Sequence, residues 1–249
     1  MKNITSNRKL HKTRKKSFKV IIAILLLLAM FIFWAFNSSF FNIKKINISN
    51  NKLLKKESIL KESKLEQGQN IFKFKIGDVE SNLVKNPFIK SLEVKRELPD
   101  IVNIAIKERE RTFILEYMTM YFVVDEEGVI MEVLEKPNKS FTIVNGFKTN
   151  SIKIGENIFI EENENLKTFI NEAKTLKILS KIEKIDKDFA NDINIKLKNG
   201  IYVAFGTLSN VKYKLSLLKE IMIDIEEKDI KAKKIIMDKG SHPILILDD

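Results

Sequence analysis

Val20–Phe36 reads VIIAILLLLAMFIFWAF, seventeen consecutive residues with no charged side chain and, the Trp34 indole apart, no hydrogen-bonding one. Extension back to Phe18 gives nineteen residues interrupted only by Lys19, whose stem can lie in hydrocarbon while its ammonium reaches the head groups. A helix of that length rises about 28 Å, close to the ~30 Å core of a bilayer. Lipid offers the backbone no hydrogen-bond partner, so the segment is predicted to be a helix. A core helix of a soluble protein carries a polar stripe, and this one has none. Residues 18–39 are therefore read as the transmembrane helix.

Working outward, the preceding seventeen residues are basic and without periodicity, and are expected to lack regular structure. Lys2, Arg8, Lys9, Lys12, Arg14, Lys15, Lys16 and Lys19 supply eight cations with no acid among them. Without these eight the formal charge of the 249-residue chain falls from +11 to +3, so the body is nearly balanced and its charge gives no sign of a nucleic-acid partner. The cations suit anionic lipid head groups, and positive charge beside a span stays on the cytoplasmic side. Lys12, Arg14, Lys15, Lys16 and Lys19 thus orient the chain with its N-terminus inside, and Trp34 marks the outer interface. No small-x-small cleavage site follows the apolar run at Trp34-Ala35-Phe36-Asn37-Ser38-Ser39, so the segment is read as an uncleaved, single-pass type II anchor in the cell membrane.

Beyond the span, residues 40–110 read as one small α+β domain. Ile46 and Ile48 share a face of an extended segment that Asn50-Asn51 break. Leu54–Ser63 is a short amphipathic helix with Ile59 and Leu60 as its apolar side, and Gly68 suits the turn after it. Asp78 is expected to cap a second helix carrying Val79 and Leu83, which Pro87 ends. Leu92, Val94 and Arg96 alternate; Pro99-Asp100 turns the chain; Val102, Ile104 and Ile106 alternate again. The order β-α-α-β-β predicts two helices over one face of a three-stranded sheet.

Residues 40–110 resemble a POTRA domain and, more narrowly, that of the FtsQ/DivIB family of bacterial cell-division proteins. The resemblance lies in Asn50, Gly68-Gln69-Asn70-Ile71-Phe72, Asn86-Pro87-Phe88-Ile89, Val94-Lys95-Arg96 with Pro99, and Ile106-Lys107-Glu108-Arg109, in that order beyond a span with a basic inner tail. It continues through YFVVDEEGVI (residues 121–130) and Val144-Asn145-Gly146, and covers most of residues 18–240. It implies a second, β-rich domain of FtsQ/DivIB type over residues 111–240, followed by a short tail, 241–249.

In that second unit, Phe113–Tyr117 and Tyr121–Val124 are rich in β-formers, and Asp125-Glu126-Glu127-Gly128 returns the chain into Val129–Val133. Leu166, Phe169, Ile170, Ala173, Leu176, Leu179 and Ile182 recur at helical spacing and predict a helix over 166–182. Ile193–Leu197 and Ile201–Phe205 flank Lys198-Asn199-Gly200. A three-residue loop with Gly200 left-handed pairs Leu197 with Ile201, Ile195 with Val203 and Ile193 with Phe205, the register that gathers all six apolar residues on one face. Ser209 is expected to cap a helix striped by Val211, Leu215, Leu218, Met222 and Ile225. Lys233–Asp238 is the last strand, and Pro243–Leu247 an apolar tail.

The residues offer no catalytic set. The two histidines, His11 and His242, fall on opposite sides of the membrane; cysteine is absent; Gly200 and Gly206 are isolated rather than part of a phosphate loop. Neither a metal nor a cofactor nor a small-molecule substrate is expected, and the chain reads as a binding protein rather than an enzyme. The resemblance implies a divisome scaffold at the division septum, holding bitopic coiled-coil proteins of the FtsL and FtsB/DivIC types and acting through them on septal peptidoglycan synthases. The alternative is a POTRA-containing membrane-anchored assembly or transport protein unrelated to division. Partner capture is expected by strand addition along Ile235, Ile236, Met237, Asp238 and Lys239. Whether that strand is a free edge or is covered by Pro243–Leu247 stays open from sequence alone.

Overall fold

The computed structural model describes residues 5–150, 152–159, 161–238 and 242–248. The chain forms two compact units, residues 1–85 with 89–108, and residues 86–88 with 109–249.

The first unit opens with helix α1, Thr5–Asn37. Its part from Phe18 to Asn37 is long and apolar enough to cross a membrane and is almost wholly unburied by protein. Residues 5–17, expected to lack regular structure, continue the same helix N-terminally. Propagation from a formed helix adds one hydrogen bond per residue fixed, and the Arg and Lys of this tail are good helix formers.

β1 (Lys45–Ser49), α2 (Lys56–Ser63), α3 (Ile76–Leu83), β2 (Ile89–Glu97) and β3 (Ile101–Glu108) follow, in the predicted β-α-α-β-β order. Among the described residues they make a three-stranded sheet of order β1-β3-β2, with β1 parallel and β2 antiparallel to β3. Val102, Ile104 and Ile106 of β3 face the core with Ile59 of α2 and Val79 and Leu83 of α3. Leu60, read as part of α2's apolar side, is exposed instead, and buried Ser63 takes the inner position with its hydroxyl donating to the Leu60 carbonyl. Asp78 does not cap α3: that position is Lys75, without a side-chain bond, and Asp78 sits within the first turn, where a negative charge still suits the helix dipole. Arg96 lies on the dry face of β2 because its guanidinium stacks 4.5 Å from the Phe74 ring centroid and donates to the Phe74 carbonyl.

The second unit comprises β4 (Phe113–Tyr117), β5 (Met120–Val124), β6 (Ile130–Leu134), β7 (Thr142–Asn145), α4 (Glu164–Thr175), β8 (Ile182–Lys187), β9 (Ile193–Leu197), β10 (Tyr202–Gly206), α5 (Val211–Glu227), β11 (Ala232–Ile236) and β12 (Ile244–Leu247). Among the described residues these strands form a nine-stranded sheet of order β12-β11-β10-β9-β8-β7-β4-β5-β6. The helices serve as crossovers, α4 between parallel β7 and β8, α5 between parallel β10 and β11. The core lies between them and the sheet, centred on Phe169 of α4 and Phe205 of β10, whose rings meet edge to face at 5.3 Å.

The predicted helix over 166–182 stops at Thr175. Lys177 turns left-handed (φ 61°), a 3-10 turn covers Leu179–Lys181, and Ile182 opens β8. Leu179 and Ile182 are buried as the helical pattern requires, but from another element; short apolar spacing does not distinguish the two. The β9–β10 loop closes as predicted: Gly200 is left-handed (φ 91°), Leu197 receives from Gly200 and donates to Ile201, and Ile195 faces Val203. A bulge between Ala204 and Gly206 then sets Ile193 opposite Gly206 rather than Phe205, while all six apolar side chains stay buried. Ser209 does not cap α5. Asn210 holds that place in a left-handed conformation, and the Ser209 hydroxyl bonds Thr207. The predicted stripe of α5 is buried throughout.

Candidate partner-binding edge

A strand receives a partner only if one of its two hydrogen-bonding sides is free. β11 has neither side free. It runs parallel to β10, with Val203 opposite Ile235 and Ala204 opposite Ile236, and antiparallel to β12, with Leu245 opposite Ile235 and Ile244 opposite Ile236. The Met237 N–H extends the inner ladder to the Ala204 carbonyl at 2.8 Å. The strand read from sequence as a receiving edge is thus an internal strand covered by the apolar tail.

The individual residues follow from that position. Ile235 is fully buried, and Ile236 and Met237 are half-buried. Asp238 is exposed, and its Cβ lies against Gly206 at the end of the β10–β11 pair, where an added Cβ would stand 2.8 Å from it. Beside it, Lys214 donates to the carbonyls of Phe205 (3.3 Å) and Thr207 (2.9 Å); burial pushes its ammonium below the ordinary lysine range, opposed by Asp192 and Asp238. Lys239 lies outside the described residues. Of the residues read as orienting the chain, Lys19 and Trp34 are exposed on α1. Lys12, Arg14, Lys15 and Lys16 belong to its N-terminal turns, and their side chains lie outside the described part.

The edge is β12. Leu245 turns inward onto the core, whereas Ile244, Ile246 and Leu247 are exposed, the last by 57%. A groove of about 240 Å³ lies where Leu217, Ile221 and Ile225 of α5 face Ile244 and Leu245. On the opposite face a hollow of about 380 Å³ is bordered by Tyr202, Lys234 and Ile246. Apolar side chains on both faces of a strand with one unpaired side are what natural edges avoid unless another chain covers them. The signal for this strand was present in sequence: Lys239-Gly240-Ser241 is turn chemistry between two β-forming runs, Lys233–Met237 and Ile244–Leu247. Its shortness made it read as a tail.

Two motif residues stand next to one another and serve different units. Glu108 accepts three backbone N–H groups, from Lys52, Leu53 and Leu54, at 2.8–2.9 Å. Burial raises its pKa, but these bonds outweigh it and hold the carboxyl below the usual carboxylate range. Arg109 pairs at 2.6 Å with Asp125, whose carboxylate is almost wholly buried and also accepts the N–H groups of Glu127 and Val129. Both residues are therefore structural.

An apolar helix long enough to cross a membrane, a three-stranded unit with two helices, and a mixed nine-stranded unit with an apolar end strand define the class of protein. Profile comparison matches residues 41–109 to the POTRA domain of FtsQ type and residues 116–236 to the C-terminal region of cell division protein FtsQ/DivIB. Cell division protein DivIB of Clostridium tetani is 30% identical over 213 residues, covering 82% of this chain and 78% of that one. DivIB of Clostridium acetobutylicum is 28% identical over 81% of this chain and 82% of its own. Cell division protein FtsQ of Syntrophotalea carbinolica is 30% identical over 59% and 49% respectively. The chain belongs to the FtsQ/DivIB family of cell division proteins, a family of division scaffolds. These matches speak against the reading as an assembly or transport protein unrelated to division.

Proposed function

We propose that this chain is a bitopic scaffold of the bacterial division septum, with residues 1–17 cytoplasmic and both folded units outside. It holds two other bitopic division proteins, of the FtsL and FtsB/DivIC types, and through them regulates septal peptidoglycan synthesis. The observation that carries the reading is β12, a four-residue apolar strand with one unpaired side at the end of the nine-stranded sheet, in a chain of this family. Pairing with a partner strand would draw affinity from backbone hydrogen bonds and specificity from Ile244 and Ile246. The eight cations up to Lys19, ahead of the uninterrupted apolar run, support the orientation. The hydrogen bond from Met237 to Ala204 shifts the informative substitution outward: Met237→Pro would break the inner ladder, so the edge is tested at β12. Ile246→Lys should abolish co-purification of the two partners without changing the melting temperature; retained capture rejects the edge. Depletion should give filaments with normally segregated DNA, and normal division would reject the scaffold role.

A further inference from the structure

The last four carbonyls of a helix lack intrahelical partners, and at the end of a membrane span water or another residue must supply them. In α1 the side chain of Asn70, from the loop after α2, performs this role. Its amide donates to the Ala35 carbonyl at 2.9 Å and to the Ser38 carbonyl at 3.3 Å, while its carbonyl oxygen accepts the Phe72 N–H at 3.0 Å. Asn70 is 5% exposed and Ala35 6%, the latter alone buried among neighbours that face outward along the span. Ala35 is small enough to let the loop come close.

Two further layers surround this contact. The chain leaving the helix pairs at once with the Asn70 loop: Ile43 donates to Gln69, Gly68 to Ile43, and Ile71 to Phe41, at 2.8–2.9 Å. A set of rings bridges helix and domain, with Phe36 against Phe72 (5.8 Å), Phe72 against Phe41 (5.1 Å) and Phe41 edge-on to Trp34 (5.6 Å). Phe40 stacks at 6.5 Å from Trp34 yet is 55% exposed. Trp34 beside it is half-exposed, like the apolar residues of the span before it. A free tether of polar residues between anchor and domain would show none of this.

We propose that Asn70 locks the POTRA unit onto the last turn of the span, so that span and POTRA move as one body, with Phe40 and Trp34 seated in the head-group layer of the outer leaflet. The occupant of the exposed ring patch is thus lipid, the same surface that covers the span. This inference rests on α1 crossing a membrane and not on the division role, so either can fail without the other.

The chain has no cysteine, so introduced ones are unique. The full chain carrying Leu27→Cys and Lys95→Cys, spin-labelled in nanodiscs of phosphatidylethanolamine and phosphatidylglycerol, should give one narrow electron–electron distance distribution. Asn70→Ala should broaden it at least about twofold; that variant is read if its circular-dichroism melt matches the parent. A broad distribution in the parent, or an unchanged one in a folded Asn70→Ala, overturns the lock. Phe40→Cys carrying an environment-sensitive fluorophore tests the seat independently of folding, since Phe40 is exposed. Blue-shifted emission quenched by brominated lipid is expected, and water-like emission overturns the seating whatever Asn70→Ala does.

Discussion

Gly146 has a left-handed backbone (φ 82°), and a Cβ built there would collide with the backbone carbonyl of Lys187 at the end of β8. Backbone cannot yield as a flexible side chain can, so Gly146→Ala should destabilise the second unit by about 2–4 kcal/mol, read by chemical denaturation. Glu108 yields a prediction with a pH signature. Its folded-state pKa is depressed, so its contribution is present above the unfolded carboxylate value of about 4.3 and is lost as pH falls through the folded value. Glu108→Gln keeps the shape but offers three N–H groups a weaker, neutral acceptor. It should cost about 1 kcal/mol at pH 7, discounted for partial exposure, with the two proteins' melting temperatures converging in acid.

At the scale of elements, the stripe of α5 was legible because five buried residues recur at three- and four-residue steps against one sheet face. Leu218, fully buried there, should cost about 2–5 kcal/mol as Leu218→Ala, measured by urea denaturation. The β9–β10 register was legible for a similar reason: a one-residue slip would have turned Ile195 and Val203 to water. What was not legible turns on backbone detail. The cap of α5 is left-handed Asn210 rather than Ser209, and a bulge precedes Gly206, where Asp238 leaves no room for a Cβ. The end of α4 depends on Lys177 adopting positive φ, which no periodicity announces.

For the whole molecule, the proposed orientation predicts that protease added to wall-stripped cells digests both folded units and leaves a short membrane-embedded fragment, seen with an N-terminal epitope. Full protection would contradict it. The POTRA unit was legible as an ordered series of elements and motif residues, since each element is short and local. The candidate edge was displaced by one strand. Lys233–Met237 and Ile244–Leu247 are both apolar and β-forming, and nothing local tells which of two such neighbours lies outermost.

The sequence by itself determined the apolar anchor helix, the order of elements in the first unit and the buried faces of α5 and β3, because length, apolar periodicity and charge placement act within a few residues of chain. Only the tertiary structure decided that β12 covers β11, that Asn70 reaches back to Ala35, and that Glu108 closes the 52–54 loop. Each of those is a hydrogen-bonding choice between groups distant in sequence or between equivalent strands, settled by how the backbone closes in three dimensions.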